Sequence, residues 1–340
     1  GTRHSIARGA AGGIARRSVA RLPRGRGRTA MARVAGREPG AQADEETLRV
    51  LSIQSHVVHG YVGNKSAVFP LQLLGIEVDQ VNTVHFSNHT GYPTVKGTVM
   101  DGEQLLEIIR GLEANDLIAY SHLLTGYIGS ATVLQVIVDL LSVLKKKFAG
   151  LTYVCDPVLG DMGHLYVKPE LVGIFIDRVI PLADIVTPNH YELEVLTGMQ
   201  VGSDADLFRA VDMLHAKGPK TVVVTSIEGR GGTREAAGEE ASTSTIEVVV
   251  DTLLPQDEGY LSRFTIGIQR LDYNFTGSGD LTSALLLAWC SRHPTRVQHA
   301  VEMCMSTVYK ILRSTAEHGK RPGYVGRAGM PELRLIQNQH

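Results

Sequence analysis

The chain has 340 residues, 43% apolar side chains and a formal net charge of −1. That length accommodates one large α/β domain or two average ones, and the near-neutral charge gives no global pull toward nucleic acid or membrane. No apolar run approaches the roughly 20 residues a membrane helix needs, and the three cysteines (Cys155, Cys290, Cys304) lack C-x-x-C spacing, which argues for a reduced compartment and against a zinc site.

Residues 1–37 hold ten arginines and no Asp or Glu. With few large apolar residues, the segment 1–46 cannot bury enough surface to offset its ordering entropy and reads as a disordered extension. It is either translated upstream sequence, with Met31 as the natural start, or an Arg-rich organellar targeting peptide. The folded domain is expected over 47–340.

From Leu48 strands and helices alternate. Strands are expected near 49–54, 76–83, 117–120, 151–155, 183–186, 221–225, 245–250 and 264–273. Helices are expected near 64–74, 102–113, 131–147, 170–179, 189–197, 204–217, 279–291 and 295–317, from apolar residues at i, i+3, i+4 spacing. The tail 332–336 alternates enough for a closing edge strand. This order implies a mostly parallel sheet covered on both faces, with ligands outside the carboxyl ends of the strands. The motif-bearing loops fall at those ends. The Gly/Ala/Glu-rich stretch 228–244 lacks the Lys-Ser/Thr ending of a phosphate loop and reads as a surface loop.

The organising stretch is Gly277-Ser278-Gly279-Asp280, a glycine-rich turn that opens an apolar helix. Glycines permit close backbone approach, and a helix start is an anion site. Asp280 would repel that anion unless it faces a second substrate as a base. Capping of the helix is the competing reading, but capping does not require two flanking glycines.

Taken together, Q-S-H-V-V-H-G-Y-V-G-N (54–64), F-S-N-H-T-G-Y (86–92), L-L-T-G-Y (123–127), V-C-D-P-V-L-G-D (154–161), A-D-I-V-T-P-N (183–189) and G-S-G-D (277–280) resemble the pyridoxal kinase family of the ribokinase-like superfamily. The resemblance implies a three-layer α/β/α fold with a mostly parallel central sheet. It implies ATP-dependent phosphorylation of the 5′-hydroxymethyl group of pyridoxal, pyridoxine or pyridoxamine. It also implies Mg²⁺ or another divalent cation, K⁺ or Na⁺, and a homodimer; a cytoplasmic location is expected, with organellar targeting by residues 1–37 the alternative.

Carried onto this sequence, Asp280 is expected as the base, with the amides of Gly277, Ser278 and Gly279 as the anion hole. Ser278 stands where the family usually has Thr or Ala. Asp156, Asp161, Glu192 and Thr187 are expected at the cations, and Asn189, Thr225 and Ser226 at the nucleotide, with Thr225 also near the monovalent cation. Ser55 and Thr90 would bond the pyridine ring's polar atoms, with Tyr127, Phe86 and Val62 around it. His56, His59, His85 and His89 lie on separate loops and read as structural or substrate-facing. The flap after Asp161 is shorter than usual in the family. Two alternatives stay open: a hydroxymethylpyrimidine kinase of the same superfamily, and a non-catalytic binder of B6 vitamers or nucleotide.

Overall fold

The structure, a computed structural model, describes residues 15–18, 48–228, 245–253, 261–321 and 331–340. In chain order, β1 (Ala15–Ser18) is followed by β2 (Arg49–Val57), α1 (Asn64–Leu73), β3 (Glu77–Phe86), β4 (Gly97–Val99) and α2 (Gly102–Ala114). Then come β5 (His122–Thr125), α3 (Ala131–Lys147), β6 (Thr152–Cys155), β7 (Gly160–Asp161), β8 (His164–Leu165) and α4 (Pro169–Ile174). The chain continues through β9 (Ile185–Val186), α5 (His190–Thr197), α6 (Asp204–Lys217), β10 (Thr221–Glu228), β11 (Thr245–Leu253) and β12 (Leu261–Gln269). Helices α7 (Ser278–Arg292) and α8 (Val297–Gly319) follow.

The main sheet has the order β1-β12-β11-β10-β9-β6-β5-β2-β3-β4. The run from β10 to β3 is parallel, and antiparallel strands extend it at both edges. Strand side chains alternate between two cores. Leu51, Ile53, Leu123, Tyr153, Val222 and Val224 face one, against α2 through α6. Val50, Leu124, Val154, Val223, Val248 and Val250 face the other, against α1, α7 and α8. Both faces of the parallel run are therefore buried, which its near-continuous apolar strands require. This is the expected three-layer α/β/α arrangement.

Local chemistry sets the helix ends. Asp101 and Gln104 form a reciprocal capping box at α2. Ser130 caps α3, whose last turn carries Lys145, Lys146 and Lys147 on the negative end of its dipole. Pro70 sits inside α1 and is tolerated near its C-terminal end.

Several expectations need correction. The third strand is His122–Thr125, not 117–120. Ile118 and Tyr120 are buried as an apolar pattern demands, but on an irregular approach. There the Arg49 amide donates to the Ser121 hydroxyl instead of extending the ladder. The helix over 170–179 divides into α4 and a wide π turn at Phe175–Val179. The strand over 264–273 ends at Gln269. The tail 332–336 is not a strand: Leu333 and Leu335 alternate because they pack on the α7 and α8 side, and the Arg334 amide donates to the Thr315 hydroxyl. The expected disorder of 1–46 lies outside the described residues except at Ala15–Ser18, whose backbone pairs antiparallel with β12. The surface loop over 228–244 also lies outside them, apart from Glu228 at the end of β10.

Candidate active site

From β2 the chain first adds β3 on one side and later β5 on the other. Such a reversal opens a crevice at the carboxyl ends of the strands. A cavity of about 560 Å³ occupies that place, and all sixteen residues singled out from the sequence line it.

The Gly277 turn forms one wall. Gly277 has φ +82°, a left-handed conformation that disfavours a side chain. A Cβ there would also lie 1.9 Å from the Tyr61 carbonyl oxygen. No side chain caps α7, so its first-turn amides have no side-chain acceptor, and the residues that carry them line the cavity. Asp280 sits inside the first turn and does not cap it; its carboxylate accepts from the Gly63 amide. Burial pushes Asp280 up to about 6, partly offset by that bond.

Two further carboxylates lie close by. Asp156 is 5% exposed. Burial, then the charges of Glu192 and Asp280, hold it well above the usual carboxylate range. A Cβ on Gly279 would lie 3.5 Å from Asp156 Oδ2, which places this carboxylate against the glycine turn. Glu192 is buried and raised to about 7, chiefly by desolvation. Its Oε1 accepts from the amides of Leu159 (2.8 Å) and Gly160 (3.4 Å), and its Oε2 from the Asn189 amide (2.9 Å). Asn189 returns the contact by accepting from the Glu192 amide, and its Nδ2 donates to the Gly160 carbonyl. This capping box starts α5 and also ties down the loop carrying Asp161. Asp161 itself is exposed and accepts from the Met162 amide.

These groups suit a cation carried on phosphate. Three acidic side chains crowd one wall with no basic partner among the interactions that shift them. The buried Thr187 hydroxyl has no hydrogen-bond partner among the described residues. Among the described residues no three His, Cys, Asp or Glu side chains converge as a cage. Mg²⁺ needs no such cage, because substrate phosphates and water complete its shell. Val158, between Asp156 and Gly160, has φ +40°, a strained value for a β-branched residue at the cavity wall. The segment after Asp161 folds as a two-residue hairpin, β7 to β8, with Met162 and Gly163 both at positive φ.

The other end of the cavity is less charged. Val62, Val84, Phe86 and half-buried Tyr127 supply apolar surface, with Ser55 and Thr90 among them. His56 and His85 stack at 5.3 Å beside it. Thr225 and Ser226 reach the cavity from β10.

Some parts of the site were not read from the sequence. The loop 60–64 is held by a buried polar chain: Asn64 Nδ2 donates to Asn82 Oδ1, Ser52 Oγ to Asn64 Oδ1, and Gln54 Nε2 to Ser52 Oγ. Ser66 Oγ donates to the Gly277 carbonyl, joining α1 to the glycine turn. Glycines at 60 and 63 were the available signal for these close approaches. Glu332 bonds the loops on the less charged side, and nothing in its alternating surroundings pointed there.

The sequence pattern of the family described as phosphomethylpyrimidine kinase matches residues 113–326. A pyridoxal kinase of Arabidopsis thaliana is 49% identical over 294 residues, 86% of this chain and 91% of the relative. One of Homo sapiens is 41% identical, covering 87% and 95%. The structure of pyridoxal kinase from Leishmania donovani in complex with ADP and pyridoxamine superposes with a TM-score of 0.75 at 34% identity, covering 86% of this chain and 94% of that one.

Proposed function

This chain belongs to the pyridoxal kinase family, and from that premise we propose how its cavity divides the work. The enzyme phosphorylates B6 vitamers at the 5′-hydroxymethyl group, with ATP as donor. In our reading the vitamer lies between Ser55, Thr90, Phe86, Val62 and Tyr127, and the phosphates lie at the Gly277 turn with Asn189, Thr225 and Ser226. The observation that carries this reading is the juxtaposition of uncapped α7 amides with the Asp280 carboxylate on one cavity wall.

Asp280 accepts the proton of the attacking hydroxyl. Complete transfer before attack is excluded on magnitude. From a hydroxyl near the value of water, about 15.7, to a carboxylate at about 6 it would cost roughly 13 kcal/mol. The proton therefore moves with or after bond formation, as a loose phosphoryl-transfer transition state allows. The amides of Gly277, Ser278 and Gly279 are fixed before reaction and face the charge that develops, which is where such groups contribute most. Asp156, Asp161, Glu192 and Thr187 would hold the divalent and monovalent cations, Glu192 through water because amides already occupy its oxygens. A divalent cation there neutralises phosphate charge and orients the transferred group.

We further propose a kinase domain over 47–340 behind a separate extension, 1–46. We also propose a homodimer, which the family resemblance supports, and a cytoplasmic location; light scattering of the purified chain tests the first. Activity is tested with ATP, Mg²⁺, K⁺ and either pyridoxal or hydroxymethylpyrimidine, following the phosphate ester. Turnover of pyridoxal far above the pyrimidine is expected; the reverse preference would remove the vitamer assignment.

A further inference from the structure

Glu332 stands far from the rest of the site in sequence, yet its carboxylate joins two of the site's loops. Its Oε2 accepts from the Tyr61 amide at 3.1 Å. Its Oε1 accepts from His89 Nε2 at 3.1 Å and from the Tyr92 hydroxyl at 2.8 Å. A Cβ on Gly60 (φ +93°) would lie 2.6 Å from Oε2, so the glycine makes room for the carboxylate. His89 is 7% exposed and lines the cavity next to Thr90. The Gly91 amide donates to His89 Nδ1, so the ring proton sits on Nε2 and points at Glu332. The Tyr92 ring packs on His89 at 4.7 Å and meets His59 edge-on at 6.0 Å. Every polar group that meets the carboxylate is a donor.

We propose that Glu332 is a positioning residue for the vitamer: it clamps the 59–61 loop to the 89–92 loop and thereby sets Thr90 and the apolar wall against the pyridine ring. It touches neither the ring nor the phosphates. The inference rests on the placement of the vitamer beside Ser55 and Thr90 given above. Glutamine cannot replace glutamate here. Its single carbonyl oxygen can serve either the Tyr61 amide or the His89 and Tyr92 donors, and its NH₂ then faces another donor. The effect should fall far more on the vitamer than on the nucleotide: none of these bonds is made by the Gly277 turn or the Asp156 wall, and the Ser66 bond to the Gly277 carbonyl and the packing of Gly277 on Tyr61 hold that turn independently of Glu332.

The test uses the full chain and measures binding of pyridoxal without nucleotide, and of a non-hydrolysable ATP analogue without vitamer. Glu332→Gln should weaken pyridoxal about tenfold, the effect of leaving one buried donor unpaired. The ATP analogue should stay within about twofold, and KM for pyridoxal should rise more than kcat falls. Tyr92→Phe removes one hydroxyl without disturbing the fold and should shift the same ligand by less. In the double variant the two effects should be less than additive. Equal weakening of both ligands, or unchanged pyridoxal binding in both single variants, overturns the assignment. Ser55→Ala and Thr90→Ala separate the two failures. If they weaken pyridoxal and the Glu332 and Tyr92 variants do not, only the clamp is wrong. If they too leave pyridoxal unchanged, the vitamer's placement fails and the clamp with it.

Discussion

The Gly277 backbone passes so close to the Tyr61 carbonyl that one methyl group on the glycine would lie 1.9 Å from that oxygen. The contact joins the loop after β2 to the turn before α7, two segments more than two hundred residues apart. The two segments pack backbone to backbone, and Ser66, bonded to the Gly277 carbonyl, adds a second tie.

Gly277→Ala should therefore be severe. It adds a side chain at φ +82° and forces the two backbones apart. A loss of about 2–4 kcal/mol in urea unfolding is expected, with kcat down at least about a hundredfold as the amides proposed to hold the phosphate shift. Gly111→Ala is the contrast. Gly111 lies inside α2 with nothing within 4 Å of its added Cβ, so a gain of about 0.5–1 kcal/mol is expected there.

Asp280→Asn should lose phosphoryl transfer by orders of magnitude while retaining ATP binding. Without ligands it should also stabilise the protein, with a definite pH dependence. The folded value of about 6 lies above the ordinary 3.8, so the native state favours the protonated carboxyl. That favourable contribution is complete below 3.8 and is lost as pH rises through 6, which leaves a buried charge at pH 7. The variant's gain in thermal midpoint should be largest above pH 7, corresponding to at most about 3 kcal/mol, and should vanish near pH 4. A gain that does not vary with pH would remove the desolvated carboxylate from this account.

Asp156→Asn relieves the repulsion that Glu192 and Asp280 exert on that side chain. The ligand-free variant should melt higher than the parent in EDTA. It should also gain less from Mg²⁺ with ATP, because a carboxylate proposed to hold the divalent cation has been removed. Thr187→Val should raise the K⁺ concentration needed for half-maximal activity and leave the melting temperature nearly unchanged, since its hydroxyl bonds to nothing among the described residues.

A chain beginning at residue 47 should keep kcat and both KM values within about twofold. Every residue lining the cavity lies between Ser55 and Asp280. Steady-state kinetics of the two lengths decide this.

Much of the architecture was legible because it follows from local pattern. The helix over 131–147 matches its apolar spacing residue for residue, and 204–217 does likewise. The residues that line the cavity were legible as a group because they occupy loops after strands, where a parallel sheet leaves ligand space. What could not be read were contacts decided by tertiary packing. Leu333 and Leu335 have the alternation of a strand but face two helices. Glu332, between Pro331 and Leu333, has the look of an exposed acid, and only the fold brings Tyr61, His89 and Tyr92 to it. Glu192 has both kinds of role: the sequence offered capping or cation binding, and the capping bonds are present in full.

The polar clamp at Glu332 bears on how this enzyme comes to life. Ser55 and Glu332 are 277 positions apart, and the loops between them have to close before the clamp can form. On a ribosome the β2 and β3 segments emerge early, and the proposed vitamer side stays unfinished until residue 332 has been made. Full affinity for the vitamer, on the clamp proposed above, is thus a late event in synthesis. The final increment of pyridoxal affinity should then return during refolding only as Glu332 docks on Tyr61, His89 and Tyr92, after assembly of the sheet.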